Sequence, residues 1–421
     1  MKTPLTRRSF IENSALAGAA VAASPYVSAQ AGGAGKQVKV ALIGCGGRGN
    51  GALGNFLEAC KILGIEGKVV ATADAFKDKA QGAGRKHGVP DEKCFGGYDS
   101  YRKVMETDCE YIVTAAPPGF RPVHFEAAVK AGKHVFMEKP VAVDPVGARK
   151  VIEAGEEAKK KGLGVVAGTQ RRHQGGYIAN KAKIEAGAIG EIRGGVVQWN
   201  GRIPWIKRRQ NGWSDKEYIT RNWLNFTELS GDHIVEQHVH NIDVALWFIG
   251  RPPVSALGFG GRARRVTGNQ FDFFSVDLDF GDDVRIHSQC RQLSGAYGRV
   301  GEMFTGATGA AFGGGKIDGK DVEIPEIKLE AGNPYVQEHV ELLKSVRKGE
   351  PLNEARNVAE ATMVAIMGRM SAYTGQLIRW SDVMQNEKSD FYKYACTPTA
   401  LDFEEGDIEL PAEVPPVPGK G

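Results

Sequence analysis

Val38-Lys39-Val40-Ala41-Leu42-Ile43-Gly44-Cys45-Gly46-Gly47-Arg48-Gly49 is the stretch on which the fold turns. Residues 38–43 are apolar except for Lys39, the texture of a strand buried on both faces. Glycines follow in the spacing Gly-x-Gly-x-x-Gly. Between a strand and a helix, each glycine of that spacing has a use. Gly44 permits the tight turn, Gly46 lets the backbone approach a pyrophosphate, and Gly49 lets the helix pack on the strand. Residues 49–63 read as that helix, whose N-terminal N–H groups and dipole favour an anion. Gly44, Gly46, Gly47, Arg48 and Gly49 are therefore candidate cofactor-binding residues. The plain alternative, a loose glycine-rich turn, lacks the flanking strand and helix.

Outward from this turn the same alternation continues. Strands are expected at 69–73, 111–115, 134–137 and 164–167, and helices at 77–87, 123–131 and 146–161. Continuously apolar strands separated by helices predict an α/β fold with a parallel sheet covered on both faces. Asp74 ends the second strand, where an acid takes ribose hydroxyls and disfavours a ribose phosphate. NAD is the expected cofactor, with NADP the alternative because Lys77 and Lys79 stand nearby. Glu138-Lys139-Pro140 ends the fourth strand, on the edge facing the ligand crevice of such a sheet. For the tripeptide alone, a solvated surface pair is an equal reading.

After about Gln170 the texture changes. Longer strands are expected at 192–200, 254–260, 273–280 and 284–290, several alternating apolar and polar residues as a sheet with one wet face does. Helices follow at 334–348 and 355–372, the first with its proline at the N-terminal end.

The glycine turn, Ala115-Ala116-Pro117-Pro118, Ala131-Gly132-Lys133-His134-Val135 and Glu138-Lys139-Pro140 together resemble, in order and spacing, the family of glucose–fructose and inositol oxidoreductases (Gfo/Idh/MocA). The resemblance implies a Rossmann domain at 36–168 and an α/β domain at 169–400 with a large open, mostly antiparallel sheet. That second domain would bind substrate and build a homodimer or homotetramer. A Pro-rich tail occupies 401–421. The resemblance also places Ala116, Pro117, Glu138 and Gln170 at the cofactor, Lys139 near both nicotinamide and substrate, and Arg172 at the substrate.

Gly231 to Asp243 contains His233, Glu236, His238, His240 and Asp243. The family has an acid, three residues, a histidine, and an aspartate three further on. Glu236, His240 and Asp243 match, with Glu in place of the usual Asp. On a continuous helix Glu236 and His240 share a face, and imidazole accepts a hydroxyl proton near neutral pH. A core histidine bonded to backbone is the alternative for His240. A metal bound by His233, Glu236 and His240 is a further alternative; no metal is expected. Residues 202–223 carry Trp205, Trp213, Trp223 and the basic run 207–209. They read either as a solvated insertion or as a lid whose aromatics stack on sugar faces, with Arg221 and Trp223 the candidate substrate contacts.

Net charge is +4 and no tail concentrates it, so nothing points to nucleic acid. Thr6-Arg7-Arg8-Ser9-Phe10-Ile11, an apolar run at 15–23 and Val27-Ser28-Ala29 read as a twin-arginine export signal over 1–29, followed by a linker at 30–35. The apolar run falls short of the roughly 20 residues of a membrane span. The six cysteines lack zinc spacing and are expected as buried thiols. An exported enzyme meets no dinucleotide pool. The expected activity is therefore hydride transfer between a bound nicotinamide and a secondary alcohol of a sugar, glycoside or polyol, with the cofactor recycled in place. Glu236 would orient His240 as base and Lys139 would hold the alcohol oxygen. The alternative is an NAD-dependent glycoside hydrolase working by transient oxidation, elimination and re-reduction.

Overall fold

The computed structural model describes residues 37–412; the expected leader and linker, and residues 413–421 of the tail, lie outside them. The first layer is a six-stranded sheet of β1 (Gln37–Ile43), β2 (Glu66–Asp74), β3 (Cys94–Gly96), β4 (Tyr111–Thr114), β5 (His134–Met137) and β6 (Val165–Ala167). Its order is β3-β2-β1-β4-β5-β6 and every pairing is parallel. Side chains alternate across a strand, and β1 buries both sets. Val40 and Leu42 meet Leu53 and Phe56 of α1 (Gly47–Ile62). Ala41 and Ile43 lie in the opposite core with Phe125 and Val151. The remaining helices of this half are α2 (Lys77–Lys86), α3 (Ser100–Met105), α4 (Arg121–Lys130) and α5 (Pro145–Lys160). Strand order reverses between β1 and β4, which opens the crevice where such sheets bind ligands.

The second sheet has eight strands. Its main members are β7 (Ile192–Gly201), β8 (Ser255–Gly261), β9 (Phe273–Asp279), β10 (Arg285–Gln292) and β11 (Arg299–Gly306), in the order β11-β7-β10-β9-β8. Within this sheet, among the described residues, only the β7–β10 pair is parallel; the other pairs are antiparallel. The sheet is thus mixed and mostly antiparallel, as expected. One face carries Val197, Phe274, Val276, Leu278, Ile286, Cys290 and Phe304 into a single core. α10 (Val239–Ile249) and α12 (Ala355–Thr374) contribute to that core. The other face exposes Leu257, Phe259 and Phe273. The smaller helices are α6 (Gly175–Glu185), α7 (Asp215–Arg221), α8 (Thr227–Ser230) and α9 (His233–Glu236).

The chain returns to the first sheet late. α11 (Pro334–Arg347) puts Val336, Val340, Leu342 and Leu343 into the core that holds Phe56. Leu352 and Glu354 then bond the free edge of β6, with Val165 N–H donating to Leu352 O and Glu354 N–H to Val165 O. This covers an edge that would otherwise invite pairing. Among the strands named here, two went unread in the sequence, as did the three two-residue strands at the edges of the second sheet. β3 has three residues, too few for a pattern, and β11 carries glycines at 301 and 306 that weaken its strand signal. All six cysteines are buried and unpaired, and no helix among the described residues is long and apolar enough to cross a membrane.

Phe56 is fully buried where α1, β4 and α11 meet, with ring centroids 5.5 Å from Tyr111 and 5.8 Å from His339. Phe56→Ala is expected to cost about 3–5 kcal/mol, read as a lower urea midpoint at unchanged slope. A loss under about 1 kcal/mol would show that α11 does not rely on this contact.

Candidate active site

The glycine turn has the geometry its spacing called for. Gly44 has φ +88°, and a Cβ there would stand 2.5 Å from Ala116 N. A Cβ on Gly49 would stand 1.9 Å from the Gly44 carbonyl oxygen, so only glycine lets α1 close on the turn. Gly46 and Gly47 differ: no atom lies within 4 Å of a Cβ at either. That open cradle at the start of α1 fits a diphosphate held by backbone N–H groups.

The cradle opens on a cleft of about 770 Å³ lined by Gly44, Gly46, Gly47, Arg48, Gly49, Asp74, Ala116 and Pro117. Asp74 accepts N–H bonds from Cys45 (2.8 Å) and Phe76 (3.0 Å). Burial pushes its carboxyl up from the usual range, and those two amides oppose the shift. Lys77 is turned away, donating to the carbonyls of Asp91 and Cys94, whereas Lys79 stays on the cleft. The opposite wall is the 205–223 segment, through Trp205, Trp213, Arg221 and Trp223. Trp223 meets Trp205 edge to face at 5.8 Å. Arg221 lies over Phe76, beside Asp74.

Lys139 and Glu236 form a second, more enclosed pair, and His240 lies near enough to feel the Lys139 charge. Lys139, just past β5, donates through Nζ to the Glu236 backbone carbonyl and to its Oε1 at 3.2 Å. Its neighbour Glu138 is buried and accepts from Arg48 Nε. Arg48 also reaches Glu338 of α11 at 3.5 Å. A Cβ on Gly168 would stand 2.5 Å from Glu138 Oε2, which explains the glycine after β6. Buried Arg121 donates to the carbonyls of Ala116 and Pro140, tying the loop after β4 to the one after β5.

Glu236 and His240 do not share a helix. α9 ends at Glu236, Gln237 and His238 make the bend, and α10 begins at Val239. The expected common helical face is therefore absent, and tertiary packing sets both side chains. His240 stacks on Trp199 of β7, with centroids 5.7 Å apart and planes at 22°. Burial, then the Lys139 and Arg171 charges, hold its pKa well below the ordinary imidazole value. Among the described residues neither ring nitrogen has a hydrogen-bond partner, so the neutral ring keeps an open acceptor. The other histidines point elsewhere: His233 Nδ1 to Asp232 Oδ1 at 2.9 Å, and His238 Nε2 to Ser288 Oγ at 2.8 Å. Among the described residues no three His, Cys, Asp or Glu side chains gather as a metal site.

Arg172 and Asp243 hold each other, through Nε and the second guanidinium nitrogen to both carboxylate oxygens at 2.8–3.1 Å. Asp243 is almost wholly buried in that pair. Gln170 has an Oε1 that is buried without a partner among the described residues. Sequence reasoning missed Trp199, which backs His240, and the cluster behind it. There Glu302 of β11 accepts from Arg171, Asn241 (2.6 Å) and Tyr177 (3.1 Å). The alternation of β7 marks Trp199 as a strand residue; its histidine partner follows only from the packing of α10 on the sheet.

Comparisons with known proteins agree with the two-part fold. A model described as the oxidoreductase family with NAD-binding Rossmann fold, GFO_IDH_MocA, matches residues 38–166. The GFO/IDH/MocA C-terminal domain model matches 177–310. Inositol 2-dehydrogenase of Salmonella paratyphi B is 28% identical over 213 residues, 50% of this chain and 54% of that protein. The 2,7-anhydro-N-acetylneuraminate hydratase of Escherichia coli is 28% identical over 179 residues, 41% and 42% of the two chains. The chain thus spans about half the length of the curated relatives it matches. Among solved structures, the aldose-aldose oxidoreductase of Caulobacter crescentus superposes with a TM-score of 0.64 at 18% identity, over 82% of this chain and 99% of that one. With both of its halves matched and its glycine turn, Asp74 and cleft in place, the chain belongs to the Gfo/Idh/MocA oxidoreductase family, with an NAD(P)-binding Rossmann domain.

Proposed function

We propose that this protein is an NAD-dependent oxidoreductase acting on a secondary alcohol of a sugar, glycoside or polyol. The observation that carries the reading is the Lys139–Glu236 pair, joined from two distant parts of the chain, with His240 within reach of the lysine charge and the neighbouring Glu138 held by Arg48 of the glycine turn. Bound nicotinamide supplies the hydride acceptor. Lys139 Nζ, steered by Glu236, donates to the substrate oxygen and stabilises its developing negative charge. His240 takes the hydroxyl proton on its free ring nitrogen. Trp199 behind the ring and Glu236 on the lysine hold the two groups in register, and Arg172 with Asp243 buttresses the wall of the site. Asp74 selects NAD, with NADP the alternative that Lys79 leaves open.

The twin-arginine pattern at 6–11 supports export, and export favours a cofactor that is recycled in place by a second carbonyl substrate. The apolar residues Leu257, Phe259 and Phe273 on the open sheet face support a homodimer or homotetramer. The relative named as a hydratase favours one alternative, transient oxidation with no net redox change. It extends to a glycoside hydrolase working by elimination.

Asp74→Ala is expected to weaken NAD binding by about 10–100-fold, the scale of a lost hydrogen bond to a charged group, and to narrow the preference over NADP. Equilibrium titration of both dinucleotides checks this; unchanged NAD affinity removes Asp74 from the site.

Lys139→Ala and His240→Ala should each lower turnover by about 10²-fold or more, with NAD content retained. Because the folded-state pKa of His240 is depressed, the base is already unprotonated at neutral pH. Wild-type kcat/KM should stay level from pH 8 down to about 6.5 and fall only below that. An acid limb centred at or above 6.5 would show that His240 is not the base.

Supplied with one free sugar and no acceptor, the NAD-loaded enzyme should make at most one equivalent of NADH per site. Sustained turnover should then need an added carbonyl acceptor. Aryl-glycoside cleavage without acceptor, with exchange of a ring C–H for solvent deuterium, would replace this reading by the hydrolase.

A further inference from the structure

In a doubly wound sheet the adenosine half of a dinucleotide lies at the end of β2, next to the acid there. In this protein that end is roofed. Phe76 follows Asp74, and the Arg221 guanidinium sits 3.8 Å from its ring centroid. The same guanidinium is 5.0 Å from the Trp213 ring and is held by Glu217 Oε1 at 2.7 Å. All three flat groups line the cleft. α7, which carries Arg221, is fastened to the Rossmann half at Tyr98, whose hydroxyl meets Thr220 Oγ1 at 2.8 Å and whose ring lies 4.6 Å from Lys216 Nζ.

A second fastening comes from the far end of the chain. The helix Asp402–Glu405, here α13, buries Phe403 completely, 5.1 Å from the Phe120 ring and 5.5 Å from Tyr98. Glu404 takes Tyr101 Oη at 3.0 Å and Arg102 at 2.6 Å, both from α3. The following residues bind α7: Lys216 Nζ donates to Gly406 O at 2.6 Å and Leu410 N–H to Asp215 Oδ2 at 3.3 Å. One short segment thus spans the Rossmann half and the roof.

Resting on the cofactor reading above, we infer that Phe76, Trp213 and Arg221 enclose the adenosine of the dinucleotide and that residues 403–410 bolt this enclosure shut, so that NAD is a resident group. Flat π-faces suit a purine, and the guanidinium lies over Phe76, two residues past Asp74, on the same cleft. The bolt acts on α7 and on α3 but touches neither the glycine cradle nor Lys139. It governs release of the cofactor rather than the diphosphate contact.

The test loads full-length protein with NAD and follows its displacement by excess 1,N6-etheno-NAD, whose fluorescence reports exchange without any turnover. Nicotinamide mononucleotide, which lacks adenosine, is titrated in parallel. Trp213→Ala, Arg221→Ala and Phe403→Ala should each raise the NAD dissociation rate by about tenfold or more, since interface losses appear mainly in the off-rate. Affinity for the mononucleotide should be unchanged. Glu404→Ala, which removes the bolt's bonds to Tyr101 and Arg102 and leaves the Phe403 packing, gives the same direction and stands in if Phe403→Ala does not fold. Unchanged NAD dissociation in Trp213→Ala, Arg221→Ala and Glu404→Ala overturns the inference while leaving the cofactor reading intact. An equal loss of mononucleotide affinity also overturns it, because the damage is then not confined to the adenosine half. Wild-type protein that binds neither dinucleotide overturns the cofactor reading, and the enclosure with it.

Discussion

Arg48 holds one guanidinium against two buried carboxylates from distant parts of the chain, Glu138 after β5 and Glu338 on α11. The glycine turn, the strand end that carries Lys139 and the returning C-terminal helix depend on that one cation. Glu338 shows the cost of the arrangement. Burial, reinforced by the charge of Glu138, pushes its carboxyl well above the usual range, and its oxygens have no hydrogen-bond donor among the described residues. Two acids compete for one arginine, so such a network is a device of position more than of stability. With Glu138 drawn to Arg48, Lys139 is left to Glu236, and its amine faces the second domain rather than the sheet.

The second sheet completes the site by a different constraint. Its inner face must bury α10, and the bend at Gln237–His238 turns that helix so that His240 lies flat on Trp199. Behind the indole, Arg171, Tyr177 and Asn241 converge on Glu302 and satisfy a carboxylate that would otherwise be costly to bury. The His240 ring is thus backed by an aromatic plane and a neutralised cluster. The same burial that keeps it unprotonated leaves its nitrogen open.

Local pattern made the first half of the molecule legible. A parallel sheet buried on both faces requires continuous apolar strands, and a diphosphate cradle requires glycines at 44, 46 and 49. Both requirements act within a dozen residues and leave a readable mark. Helix and strand ends were accordingly placed within a few residues at β1, β5, α5 and α11. β3 and β11 were lost because one is too short and the other too glycine-rich to show a period. The candidate site was legible at Asp74 and Glu138-Lys139-Pro140, where strand ends carry it, and at 236–243 as a set of side chains but not as an arrangement.

The residues of the chain already specify the Rossmann alternation, the glycine turn, the acid at the end of β2 and a set of chemically apt side chains at 236–243. Their spacing is local, and the chemistry of glycine, aspartate and histidine does not depend on distant partners. Which of those side chains meet was left to packing. His233 and His238 were taken into the core by Asp232 and Ser288, His240 was left open against Trp199, and Arg172 was closed on Asp243. The tryptophan segment became a roof over the β2 end of the cleft because fully buried Phe403 packs on half-buried Tyr98, about three hundred residues away, which in turn holds α7. Contacts across such separations follow from which apolar faces the two sheets leave uncovered, and no periodicity along the chain records them.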